Sequence, residues 1–296
     1  MSRTFADAKV HTPANLEEAL DFLANHANEG WKPLAGGTDA LVPIYRDGAE
    51  PTTPWLNLQK LRPELRFVRR TSNGFEIGAL ATISDLMANR DLCETYPIVR
   101  QCCQHFASPA IRHRATVAGN LANASPASDI APVLLALEAE IESANHAGRR
   151  FVTLDAFWTG YKATVLAPDE LIVSVRIPHR DLAANASMFR KVAPRASNSI
   201  ALLNCAAIGT RDSAGTWTNV RIALGCMGPV PMRARKVESA VEDHRFDDTC
   251  REEAKALLQS TLRPITDYRA TAEYRMLAAT NLVSAFLDRT AGNWHS

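Results

Sequence analysis

Leu16, Leu20, Leu23 and Ala27 recur at helical spacing behind Thr12 and Pro13, so a capping hydroxyl followed by proline predicts an amphipathic helix through about residue 28. A short strand over residues 31–34 follows and delivers Gly36 and Gly37. Residues 39–45 read as a helix or an irregular turn, and residues 55–58 as a second strand. The result is a small α/β unit with a glycine loop after a strand, the place where such folds bind nucleotides.

From about residue 66 the texture changes to alternating strands and helices. Residues 75–80 alternate like a half-buried strand, Thr82 can cap the helix after it, and a second helix covers about residues 96–106. Residues 130–136 read as a helix, residues 139–143 and 150–153 as a hairpin around 145–148, and residues 170–178 as a strong strand ended by Pro178. Polar, alanine-rich residues 179–187 form a predicted linker. Strands are predicted at 188–193, 199–211 and 216–226, the last two joined by a turn at 212–215, and helices at 233–242, 247–260 and 270–288. The predicted fold is α+β. A two-part domain over residues 1–178 combines the small α/β unit (1–60) with a mixed sheet and helices (61–178). A smaller domain over residues 186–296 carries a three-stranded antiparallel sheet with helices.

Composition narrows the function without choosing it. With 46% hydrophobic and 22% charged residues among 296, the chain reads as an ordinary globular protein. A net charge of +1, with basic spots confined to residues 62–70 and to Arg112-His-Arg114, argues against a nucleic-acid partner and for solvated faces or local ion pairs. The longest apolar run, residues 130–137, falls far below the roughly 20 residues that span a bilayer. The first residues lack the apolar stretch of a secretory signal, so a cytoplasmic protein without a membrane span is expected. None of the six cysteines forms a C-x-x-C pair, and vicinal Cys102 and Cys103 with His105 suit a buried helix face better than a metal. No spacing among the eight histidines suggests ligands, so neither a metal site nor an iron–sulfur cluster is expected in this chain. No catalytic acid or nucleophile is singled out, and the G-x-G-x-x-G of nicotinamide folds is missing.

Two small-residue segments carry the candidate chemistry. The first is Lys32-Pro-Leu-Ala-Gly-Gly-Thr-Asp-Ala40 and the second Thr116-Val-Ala-Gly-Asn-Leu-Ala-Asn-Ala-Ser-Pro-Ala-Ser-Asp129. Residues without bulky side chains let backbone N–H groups approach a phosphate, and Thr, Ser and Asn can complete its hydrogen bonds. Two such segments suggest a diphosphate held from both sides, whereas one alone would read as a turn.

With these segments, the chain resembles the FAD-binding medium subunit of the molybdenum hydroxylases, the family of xanthine dehydrogenase and carbon monoxide dehydrogenase. Ala-Gly-Gly-Thr-Asp at residues 35–39 matches a family pattern, and Thr116, Gly119, Asn120, Ser125, Pro126 and Asp129 fall at the family spacing. Further matches are Phe189-Arg-Lys-Val-Ala-Pro-Arg195 with Ile200-Ala-Leu-Leu-Asn-Cys-Ala-Ala207, Ala223-Leu-Gly-Cys-Met-Gly-Pro-Val-Pro-Met-Arg233, and Asp267-Tyr-Arg-Ala-Thr-Ala-Glu-Tyr-Arg275. They are ordered and reach across nearly the whole chain.

The resemblance implies FAD, with Lys32, Leu34, Ala35, Gly36, Gly37, Thr38 and Asp39 on one side of the diphosphate. Asp39 is expected to orient the loop by facing a hydroxyl or backbone donor. Thr116, Ala118, Gly119, Asn120, Asn123 and Ser125 form the second side. Ala118 departs from a more frequent glycine, and Asn123 stands where a hydroxyl residue is common. Asp129 either binds a hydroxyl or adenine-side group or caps the helix from Ile130. Phe106 either packs on the flavin ring or is a core residue at a helix end. Lys191 either sits beside the flavin, favouring its anionic reduced form, or is a solvated strand lysine. Leu171 and Ile172 are expected at the adenine or ring pocket. The implied function is an electron-transfer subunit, partnered by a molybdopterin-bearing large subunit and a small subunit with [2Fe-2S] clusters, in a heterotrimer repeated twice. Electrons would leave to NAD, oxygen or another acceptor. A self-contained FAD-dependent reductase or oxidase and a non-enzymatic assembly subunit are the alternatives.

Overall fold

The computed structural model describes residues 8–44, 52–179 and 185–288. Its first unit holds β1 (Val10–His11), α1 (Leu16–Asn25), β2 (Lys32–Leu34) and β3 (Trp55–Asn57), with the strands parallel in the order β1-β3-β2. The helix begins later than Thr12-Pro13 predicts. Asn15 caps it, its side chain accepting from the Glu18 amide at 2.9 Å, while Pro13 is buried in extended chain. Asn is as good a cap as Thr, and Asn15 directly precedes the first turn. Residues 38–41 make a turn, with Leu41 N donating to Gly37 O and Val42 N to Asp39 O, that becomes helical over 42–44; Tyr45, the end of the predicted element, lies outside the described residues.

A 3-10 turn (Leu58–Leu61) and α2 (Arg62–Leu65) lead into β4 (Val68–Thr71) and β5 (Gly74–Gly78). Helices α3 (Ile83–Ala88), α4 (Arg90–Thr95), α5 (Pro97–His105), α6 (Pro109–Arg112), α7 (Val117–Ala122) and α8 (Ile130–Ala136) follow. Thr82 caps α3 as predicted, in a reciprocal capping box with Asp85. Next come the hairpin β6 (Glu140–Asn145) and β7 (Gly148–Thr153), then α9 (Leu154–Phe157), a small hairpin of β8 (Trp158–Gly160) and β9 (Ala163–Thr164), and β10 (Leu171–Pro178). The sheet runs β4-β5-β10-β6-β7 with every pairing antiparallel, so the mixed sheet expected here is uniform in direction. Two tight hairpins force that outcome, and the last strand, β10, enters the centre between them. There it is buried on both faces. Ile172 packs into the core with α7 and α8, Leu171 into a separate core with Leu23 of α1.

The second domain consists of β11 (Asn185–Val192), β12 (Leu203–Arg211), β13 (Thr216–Gly225), β14 (Met232–Arg233), α10 (Arg235–Val241), β15 (His244–Arg245), α11 (Asp248–Thr261) and α12 (Ala272–Leu287). Three long antiparallel strands form its sheet as expected, and β14 and β15 add two residues each along β13, too short for any periodicity to reveal. Of the predicted linker, residues 180–184 lie outside the described residues, and strand structure has already begun at Asn185. One face of this sheet, with Phe189, Ala206, Ile208 and Ala223, joins the core of α5 and α8. The other, with Met188, Cys205, Trp217 and Ile222, is covered by α10, α11 and α12. All six cysteines are buried free thiols, and burial pushes Cys103 and Cys205 up to about 12. No helix of the described residues is long and apolar enough to cross a membrane.

Candidate cofactor site

The strand β2 hands the chain to the first glycine loop at Leu34. Lys32 and Pro33 are exposed on that strand, and the Ala35 carbonyl is fixed by Gln59 Nε2 at 2.9 Å. Gly37 has φ +71°, a conformation that a side chain would strain. Beyond it, among the described residues, the amides of Gly36, Gly37, Thr38 and Asp39 donate to no protein acceptor. Consecutive N–H groups left without a protein acceptor are donors available to an anion.

The second segment is not the open loop expected from its small residues. Val117 to Ala122 form the six-residue helix α7, capped by Thr116, whose Oγ1 accepts from the Gly119 amide at 3.1 Å. One of the two lone pairs of the Thr116 hydroxyl is therefore engaged within the helix, and its proton remains to donate to an anionic ligand. A Cβ on Gly119 would stand 2.7 Å from that oxygen, so a side chain there would require the Thr116 hydroxyl to shift. Ala118, in the first turn, has helical surroundings that admit a Cβ, which explains why the departure from glycine is tolerated. Downstream, Ser125 Oγ accepts from the Ala127 amide at 3.3 Å and Ser128 Oγ donates to Asn120 Oδ1.

The first segment touches the chain immediately before the second, nearly eighty positions away in sequence. A Cβ on Gly36 would lie 2.0 Å from the Arg114 carbonyl oxygen, and Arg114 Nε donates to the Gly36 carbonyl at 3.1 Å. Gly36 thus serves close approach of one protein backbone to another, a role different from the phosphate clearance read from sequence. A second tie is Lys162, in the turn between β8 and β9. Its Nζ donates to Asn123 Oδ1 at 2.6 Å and stands 3.6 Å from Asp39 Oδ2, while its amide donates to the Ala124 carbonyl at 3.2 Å. Asp39 accordingly faces a cation, in place of the hydroxyl or backbone donor expected.

A second polar group lies at the boundary between the domains. Lys191 on β11 reaches Asp129 Oδ2 at 2.6 Å and the His105 carbonyl at 3.3 Å, and Asn204 Nδ2 on β12 donates to Asp129 Oδ1 at 3.2 Å and to the Ser128 carbonyl at 3.0 Å. The Lys191 side chain is only 7% exposed, which removes the solvated-lysine alternative. Burial pushes the Asp129 carboxyl up, opposed by Lys191 and Asn204. Nor does Asp129 cap α8 with its side chain; Ser128 Oγ does so, accepting from the Ala131 amide at 3.1 Å. Asn204 Oδ1 is buried with no protein donor among the described residues.

Phe106 ends α5 and is buried in the same core, its carbonyl accepting from Arg112 at 2.9 Å. Leu171 and Ile172 face opposite sides of β10, so at most one of them can line any one pocket. The structure therefore brings residues 34–39 together with Arg114, Asn123 and Lys162, and separately joins Asn120 and Ser128 to the group of Asp129, Lys191 and Asn204. Arg114, Ser128, Lys162 and Asn204 were not singled out from the sequence. Arg114 belongs to a basic triplet that reads as a solvated face, and the placement of Lys162 depends on a left-handed turn without a sequence signature.

The family described as the FAD binding domain in molybdopterin dehydrogenase matches residues 4–180, and the carbon monoxide dehydrogenase flavoprotein C-terminal domain matches residues 188–290. The chain is 28% identical over 261 residues to the glyceraldehyde dehydrogenase medium chain of Sulfolobus acidocaldarius, covering 88% of this chain and 90% of that one. It is 28% identical over 273 residues to the xanthine dehydrogenase FAD-binding subunit of Escherichia coli O157:H7, with 92% of each covered. Among solved structures, carbon monoxide dehydrogenase of Hydrogenophaga pseudoflava superposes with a TM-score of 0.87 at 27% identity, covering 94% of this chain and 95% of that one.

Proposed function

Since this chain belongs to the family of FAD-binding subunits of the molybdopterin dehydrogenases, we propose that it relays electrons within a larger oxidoreductase. In that complex it holds FAD, receives electrons from the [2Fe-2S] clusters of a small subunit, and passes them to NAD, oxygen or another acceptor. A molybdopterin-bearing large subunit oxidises the substrate, and the three chains assemble as a pair of heterotrimers. The observation that carries the reading is the run of amides from Gly36 to Asp39 without a protein acceptor among the described residues, on a loop whose Asp39 carboxylate faces Lys162 and whose Gly36 is seated against Arg114 and Ala115, just before α7.

When bound, FAD supplies the reversible one- and two-electron chemistry that no side chain offers. This chain's residues bind and orient it. Leu34, Ala35, Gly36, Gly37, Thr38 and Asp39, with Lys32 at the strand before them, present one side to the diphosphate, and the Thr116 hydroxyl, the Ala118 amide, Gly119, Asn120, Asn123 and Ser125 the other. Toward the ring and adenine ends lie Phe106, Asp129, Lys191 and one of Leu171 and Ile172, whose burial excludes water from that side. The relatives' descriptions as medium chain and FAD-binding subunit support a multi-subunit setting. The test is to purify the native complex on this chain and quantify heat-released flavin. The expected result is close to one FAD per chain with iron–sulfur absorbance from co-purifying subunits; partners without FAD would reject the reading.

A further inference from the structure

We infer that Lys162 is the cationic member of the diphosphate site, a binding residue that acts from outside both small-residue segments; the inference rests on the FAD reading above. Three observations place it there. Its ammonium contacts residues of both segments, Asp39 at 3.6 Å and Asn123 at 2.6 Å, so it stands across the gap that a diphosphate would bridge. An ammonium carries three donors, and only the bond to Asn123 is of hydrogen-bond length among the described residues, so donor capacity is left for a further oxygen. The lysine is also held there at a conformational cost. Lys162 has φ +56°, a region that L side chains rarely adopt, and its amide is tied to the Ala124 carbonyl, within the second segment just past the end of α7.

The electrostatics favour a ligand with more negative charge than the cradle now provides. Asp39 is 67% exposed, so its attraction for Lys162 across 3.6 Å is largely screened by water. Unclaimed amides on Gly36 to Asp39 lie on the same loop as that carboxylate. A diphosphate seated on those amides would accept from the Lys162 ammonium in a charge-assisted hydrogen bond, and Asp39 would then keep the lysine aimed at the cradle in the absence of ligand. The ligand class selected is a flavin or nucleotide diphosphate over a flavin that lacks phosphate.

The experiment titrates the full chain, stripped of flavin, with FAD, ADP and riboflavin, following flavin fluorescence and, for ADP, heat of binding. Lys162→Met is expected to weaken FAD and ADP about tenfold at low salt, the size of one charge-assisted hydrogen bond, while leaving riboflavin unchanged. Lys162→Arg should retain most of the affinity, and the salt dependence of ADP binding should flatten in Lys162→Met. Equal weakening of riboflavin would show that Lys162 only ties the segments together, and unchanged FAD and ADP binding would overturn the proposal while leaving the FAD reading intact. If the wild-type chain takes up neither FAD nor ADP, the FAD reading fails and this inference with it. Thermal unfolding of each variant separates lost binding from lost fold.

Discussion

The cradle and the domain boundary are both built from polar residues around a lysine, yet they use their hydrogen-bonding groups in opposite ways. At the boundary, Lys191, Asp129, Asn204 and Ser128 bond to one another almost entirely out of water, with the lysine side chain 7% exposed and Asn204 Oδ1 left without a donor among the described residues. At the cradle, Lys162 is 40% exposed, its carboxylate partner is more exposed still, and a row of backbone donors finds no protein acceptor among the described residues. The difference separates groups committed to the fold from groups with capacity for a ligand. The family resemblance singled out Lys191 and passed over Lys162.

The largest effect expected from breaking this contrast comes at the boundary. Lys191→Met leaves the Asp129 carboxylate buried without its cation and should cost about 3–5 kcal/mol in urea unfolding, with Asp129→Asn added to it restoring much of the loss. The sign with pH follows from burial, which already holds the Asp129 pKa above its ordinary value. Removing the cation raises it further, and a carboxyl with a raised folded-state pKa favours the folded state when protonated. The deficit of Lys191→Met should therefore be full above that raised pKa and shrink as pH falls through it. A deficit that does not change with pH would show that the carboxylate is not forced to carry charge in a dry setting. The same variant tests the flavin role, because a lysine that touches the ring electrostatically shifts the reduction potential and one confined to the ion pair does not.

Next in size is the contact between the segments. Gly36→Ala drives a methyl into the Arg114 carbonyl and is expected to cost about 1–3 kcal/mol as an overpacking change, with reduced FAD retention. Gly160→Ala, whose Cβ meets nothing within 4 Å, should stay within about 0.5 kcal/mol of wild type. Equal stability and flavin content in the two variants would mean the segments do not depend on each other.

The smallest effect sharpens the comparison at one hydroxyl. Thr116→Ala removes the α7 cap and should cost about 1 kcal/mol, and Thr116→Ser should not. A loss of FAD affinity in Thr116→Ala larger than that of a cap removal elsewhere, such as Thr82→Ala, would show that the Thr116 hydroxyl also serves the ligand.

Much of this was legible in the sequence, and the limits have physical causes. The α+β order, the hairpin of β6 and β7, the apolar strand β10 and the Thr82 cap follow from periodicity and local turn chemistry. The start of α1 was misplaced because Thr12 and Asn15 are both competent caps and only tertiary packing chooses between them. The helix α7 was hidden because Val-Ala-Gly-Asn-Leu-Ala has the small residues of a loop and is too short to show helical spacing. The two-residue strands β14 and β15 are made by their neighbour β13. At the site, the two glycine-bearing segments were visible. Their meeting at Gly36 and Arg114, the left-handed turn at Lys162 and the pairing of Lys191 with Asp129 depend on contacts across 62 or more residues (or, for Lys162, on a local φ), which no window of sequence records.

The two family matches divide the chain between residues 180 and 188, but the apolar interior does not divide there. Phe189, Ala206, Ile208 and Ala223, all downstream of the division, fill the same core as α5 and α8 upstream. For protein engineering, the two halves are therefore complementary surfaces of one casting. A chimera that grafts a relative's second domain onto residues 8–179 should succeed only if the incoming sheet reproduces the relief of those four side chains, and exchanging the second domain together with α5 and α8 gives the cleaner swap.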